Sequence, residues 1–147
     1  MTYKEALEQE YKSHLMKVAG QLEFDIYEER SSNTGGALIK LKNSEMRIQF
    51  LNDRGIISLE IGSVHGDENF VDVELLASLI RLKSTTEPLS KIGRKRILNT
   101  RIGLSGQVAL LTEKRNELAK LFSKNSTSGT LKQLEELGTE RFNYMME

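Results

Sequence analysis

At 147 residues the chain has the length of one domain, and a domain of that size buries roughly 68–70% of its unfolded surface without needing a staple. It has no cysteine, which excludes disulfides, thiol catalysis and thiolate metal sites. Twenty-one basic and twenty-one acidic residues cancel, which argues against a general affinity for nucleic acid or anionic membrane. No stretch approaches ~18 consecutive apolar residues, and Met1 to Glu8 lacks the basic start and apolar run of a signal peptide, so the expectation is a soluble cytoplasmic protein.

Thr2-Tyr3-Lys4-Glu5 fits a capping box, and Leu7, Tyr11, His14, Leu15 and Val18 follow on one helical face, with Gly20 as the stop. His14 borders that stripe and reads as a surface histidine. Residues Leu22 to Gly62 then alternate with a period of two in four runs. Leu22, Phe24 and Ile26 belong to the first, Ala37, Ile39 and Leu41 to the second, Met46, Ile48 and Phe50 to the third, and Ile57, Leu59 and Ile61 to the fourth. The breaks at Ser31 to Gly36, Asn43-Ser44 and Asn52 to Gly55 carry turn residues, and connections this short make neighbouring strands antiparallel. The opposite face carries Glu23, Asp25 and Glu29, then Lys40 and Lys42, then Arg47, then Glu60, which reads as cross-strand pairing on a wet surface that is also free to bind a partner or a second copy.

After the meander, Val64 to Asn69 reads as a loop in which His65, Asp67 and Glu68 offer a weak metal or acid/base cluster, with a small hydrolase as the function it would imply. Asp72 caps a helix whose Val73, Leu75, Leu76, Leu79, Ile80 and Leu82 imply burial on more than one side. Ser84 to Pro88 is a linker. Lys91, Arg94, Lys95, Arg96 and Arg101 follow without an acid among them, either as a nucleic-acid contact or as partners for an acidic surface, and no aromatic platform for bases lies nearby. Leu104 to Lys124 reads as one long helix with Glu117 paired to Lys114 or Lys120, Asn125 to Gly129 as a loop, and Thr130 as the cap of the last helix.

Phosphate-loop, dinucleotide, serine-hydrolase and zincin motifs do not occur, so the sequence names no catalytic residue, metal ligand or cofactor and predicts a protein that is not an enzyme. The fold expected is one α+β domain, 1–147: a four-stranded antiparallel meander sheet with an N-terminal helix and several C-terminal helices packed mainly on one face.

That order of elements, with Arg47 to Gly62 at the centre and Leu121-Phe122, Thr130, Leu134, Leu137 and Glu140-Arg141 near the end, resembles the immunity proteins that accompany polymorphic or contact-dependent bacterial toxins. The resemblance spans residue 22 to the end. It implies a cytoplasmic protein that binds one cognate toxin domain and blocks it, with no chemistry of its own. Immunity to a nuclease commonly uses acidic side chains, and the candidates here are Glu23, Asp25, Glu60, Asp67 and Glu68, with His65 in the same loop; the absence of net charge departs from a strongly acidic nuclease inhibitor.

Overall fold

The computed structural model describes residues 1–147. The chain runs α1 (Tyr3–Glu10), a π-helical turn (Tyr11–Leu15), α2 (Met16–Gln21), β1 (Asp25–Ser32), β2 (Gly36–Lys42), β3 (Arg47–Asp53), β4 (Ile56–Gly62), β5 (Val71–Asp72), α3 (Val73–Ser84), α4 (Lys91–Leu98), α5 (Leu104–Glu113), α6 (Arg115–Leu121) and α7 (Thr127–Met145). The architecture is α+β, with all strands antiparallel in the order β1-β2-β3-β4-β5.

The period-two pattern sets which side of the sheet is buried. Ile39 and Leu41, Ile48 and Phe50, and Leu59 and Ile61 pair across three strands and join 20 other buried side chains in one cluster of 26. Segments α1, α3 and α5 lie against the sheet, and the Tyr11 ring meets Phe50 edge-on at 6.4 Å between centroids. Thr2 caps α1, its hydroxyl accepting from the Glu5 amide. The π turn that follows shifts the phase of the helix so that Leu7, Leu15 and Ala19 are all buried.

Five features differ from the sequence reading. The sheet has five strands rather than four, because the loop after β4 returns through Val71-Asp72 to pair with Ile61 and Glu60. The first strand begins at Asp25 rather than Leu22: Leu22 and Phe24 are buried in the turn that leaves α2, where Glu23 takes a φ of 59°. The amide of Phe24 bonds back to the Ala19 carbonyl, and Asn43 Nδ2 donates to the Leu22 carbonyl, so helix-end bonding holds this segment out of the ladder. The helix expected over 104–124 breaks at Lys114, and Glu117 forms no ion pair with Lys114 or Lys120. The last helix starts at Thr127, and Thr130 lies buried inside it, its hydroxyl donating to the Leu121 carbonyl at 2.6 Å rather than capping.

Two buried amides finish what the ladder leaves open. Asn52 Nδ2 donates to the Tyr3 carbonyl while its Oδ1 accepts from the Gly55 amide, tying the N-terminus to a hairpin whose central Arg54 and Gly55 both have positive φ. Beyond the short β5 the outer edge of β4 is unpaired, and there Gln107 Oε1 accepts from the Leu59 amide at 3.0 Å while its Nε2 donates to the Ile102 carbonyl at 2.9 Å. Gln107→Leu leaves both backbone groups without a partner in the interior. It should cost about 1–3 kcal/mol, read as a lower urea midpoint with an unchanged slope.

Candidate functional site

With the helices on the apolar side, the other side of the sheet carries side chains without a helical cover. Its cross-strand rows are Asp25–Lys42–Arg47–Gly62, Glu28–Lys40–Gln49–Glu60–Asp72 and Arg30–Leu38–Leu51–Ser58. A register shift between Ile26 and Glu28 brings Glu28 opposite Lys40, an opposite-charge pair on one face. Ile56, 73% exposed, continues this face past the last row.

One segment does fold over it. Residues 63–70 leave β4 and pass so close above Gly62 that a Cβ there would stand 2.5 Å from the Asn69 carbonyl oxygen; only glycine fits under this crossing. Ser63 anchors the start: it is buried, donates to the Phe122 carbonyl and accepts from the His65 amide and the Thr127 hydroxyl. Arg47 Nη1 reaches the Gly66 carbonyl at 3.3 Å. Then Glu68 closes the loop onto the sheet, accepting from Lys40 Nζ at 2.7 Å and from the Tyr27 hydroxyl at 2.8 Å. β5 holds the far end.

Lys40 is the centre of this cluster. Although it belongs to the face read as solvated, it is only 8% exposed, because Glu68, Glu28 and the Phe70 ring at 5.7 Å surround its ammonium. Glu28 Oε2 lies 3.3 Å from Lys40 Nζ and 2.6 Å from Arg30 Nε, ion-pair contacts outside hydrogen-bonding angles. Lys42 sits 5.2 Å from the Tyr27 ring. The hydrogen bonds from Lys40 and then Tyr27 hold the Glu68 carboxyl below the usual carboxylate range, while the bond to Glu68 holds Lys40 above the usual lysine range against the opposing effect of burial. Burial first, and then the bond to Glu68, pushes the Tyr27 phenol up.

The residues singled out from sequence divide accordingly. Glu68, although exposed, is a latch bonded back to Lys40 and Tyr27. Glu23 and Asp25 stand exposed at the end of the sheet where β1 begins, and Asp67 is exposed on the outer side of the loop; none of the three enters an ion pair. His65 is exposed and held through its backbone alone. Glu60 accepts from Gln49 Nε2 at 2.7 Å within its row. His65, Asp67 and Glu68 do not converge, and no group of three or more histidine, aspartate or glutamate side chains is placed to hold a metal ion. Sequence reasoning missed Tyr27, Lys40, Arg47 and Phe70 as a unit; the strand alternation that placed Lys40 on the wet face carries no sign of a loop returning over it.

The basic segment is largely paired within the molecule. Arg94 forms a bidentate contact with Glu140 at 2.7 and 2.9 Å, Lys91 and Lys95 both meet Glu147, and Arg101 lies 4.0 Å from Glu74. Of the five, Arg96 alone has no carboxylate partner, so these cations chiefly fasten α4 to α7 and α3.

Comparison with known proteins gives no further constraint: no family model, no curated protein and no solved structure matches this chain.

The latch makes an acid-side prediction. Because the carboxyl of Glu68 is held below its ordinary value in the folded chain, its contribution is fully present above the ordinary carboxylate pKa of about 4.3 and is lost as pH falls through the depressed folded value. Glu68→Gln should therefore flatten the fall in urea midpoint between about pH 5 and pH 2 relative to the parent chain.

Proposed function

We propose that this chain is a non-enzymatic protein-binding module that neutralises a cognate bacterial toxin domain in the cytoplasm, docking it on the uncovered sheet face and the outer side of the 63–70 loop. The observation that carries the reading is the loop itself: it is fixed at Ser63, Gly66 and Glu68, yet it turns His65 and Asp67 outward. A surface held in place before binding loses little conformational entropy on docking. Glu23, Asp25 and Asp67 add carboxylates with no internal partner, suited to steering a cationic face of the toxin. That the partner is a toxin rests on the resemblance of residues 22–147 to immunity proteins. The alternative of a nucleic-acid-associated regulator has weaker support, since Lys91, Arg94, Lys95 and Arg101 already face carboxylates.

The test is co-expression with the C-terminal domain of any large secreted protein encoded immediately upstream. A one-to-one complex with rescue of growth supports the reading; a toxin-like neighbour that neither binds nor is neutralised removes it. In the complex, the Asp25→Lys/Asp67→Lys double variant should slow association on the order of tenfold and reduce its salt dependence, with a smaller change in dissociation, as measured by stopped-flow or surface-immobilised kinetics.

A further inference from the structure

On the helical side of the molecule a cleft of about 730 Å³ opens between the C-terminal end of α3, the α5–α6 break, α6 and the first turn of α7. Its size falls within the ~300–1,000 Å³ typical of small-molecule sites. Ile80 and Leu121 give it an apolar side, and the rest is polar, including Lys83, Lys114, Lys120, Asn125 and Gln133.

Basic side chains without an ion pair occur elsewhere on this surface too, but three of them gather in this cleft. Eleven of the chain's basic and histidine side chains form ion pairs, yet Lys83, Lys114 and Lys120 form none. Glu117, which lines the same cleft three residues from both Lys114 and Lys120, pairs with neither. The helix break at Lys114 has its φ at −116° and ψ at 24°, away from regular α geometry, and Lys114 lines the cleft at that break. Three ammonium groups against one carboxylate leave the cleft cationic in a protein of zero net charge.

The first turn of α7, which borders the cleft through Ser126, Gly129 and Thr130, adds hydrogen-bond donors. No side chain caps α7, a helix of 19 residues, and its Ser128 and Gly129 amides bond to no carbonyl or side chain, although Thr127 and Thr130 on either side do. Gly129 lines the cleft, and nothing lies within 4 Å of where its Cβ would stand, so backbone can be approached there. The side-chain amides of Asn125 and Gln133 and the Ser126 hydroxyl enter no internal hydrogen bond.

From this arrangement we infer that the cleft is a binding site for a soluble phosphorylated small molecule, its phosphate held by Lys83, Lys114, Lys120 and the Ser128–Gly129 amides, and its organic body laid against Ile80 and Leu121. Clustered ammoniums and free amides suit the charge and the several acceptor oxygens of a phosphate monoester. The apolar side gives the remainder of such a ligand a surface that inorganic phosphate does not use. This site lies on different elements from the sheet face, so its fate is independent of the toxin-binding reading.

The test is a ¹H–¹⁵N NMR titration of the full chain with adenosine monophosphate as the probe, and with adenosine and inorganic phosphate in parallel. The expected result is saturable shifts at Ser128 and Gly129 with the monophosphate, weaker ones with inorganic phosphate, and none with adenosine. Lys83→Gln/Lys120→Gln should weaken binding at least about tenfold while keeping a dispersed folded spectrum, and Lys132→Gln on the exposed side of α7 should not change it. Absence of shifts at these amides, or shifts indifferent to the double variant, overturns the proposal. So does association with phosphatidic-acid vesicles in the absence of any response to the soluble phosphate probes.

Discussion

The sheet has only one apolar face, and the helices must all serve it. Residues Ile39, Leu41, Ile48, Phe50, Leu59 and Ile61 gather the helices on a single side, because burial of such side chains is the largest favourable contribution to folding. The other side then has to be stable in water with whatever the loops provide. Here it is stabilised by one segment, 63–70, and one buried cation, Lys40, whose ammonium would be costly without Glu68 and Glu28 beside it. The candidate docking surface is thus a consequence of the core pattern, and its geometry depends on the Lys40–Glu68 contact and on the absence of a side chain at Gly62.

Much of this fold is legible in the sequence. The three longest internal strands follow their alternation within a residue, since a half-buried strand leaves its pattern in every second position. What escaped is what depends on contacts distant in sequence. Leu22 and Phe24 keep the alternation of a strand while being buried in a turn, so their spacing alone could not separate the two. The two-residue β5 has too few positions to show any period, and the break at Lys114 lies in a stretch with no proline or glycine to announce it. Thr130 looks like a cap by sequence, but a threonine hydroxyl can also bond a carbonyl in the interior, as this one does with Leu121.

The site was less legible than the fold. Sequence correctly separates acidic from basic segments but not which charges are already neutralised. Glu68 and Asp67 are neighbours of the same type, one bonded to Lys40 and Tyr27 and the other open to solvent. The basic run 91–101 suggested an external anion, yet its partners are Glu140, Glu147 and Glu74 on other helices. Three of the lysines that lack partners, at 83, 114 and 120, are scattered along the chain and meet only where the end of α3 packs beside the α5–α6 break and α6.

The most direct test is which side of the sheet a bound partner protects. Hydrogen–deuterium exchange of the chain alone and in complex with the toxin domain proposed as its partner would read this residue by residue. Added protection across β1 and residues 63–70, with the amides of α4 and α7 unchanged, is the expected result. Protection confined to α4, α6 and α7, with the 63–70 loop exchanging as in the free chain, would contradict it.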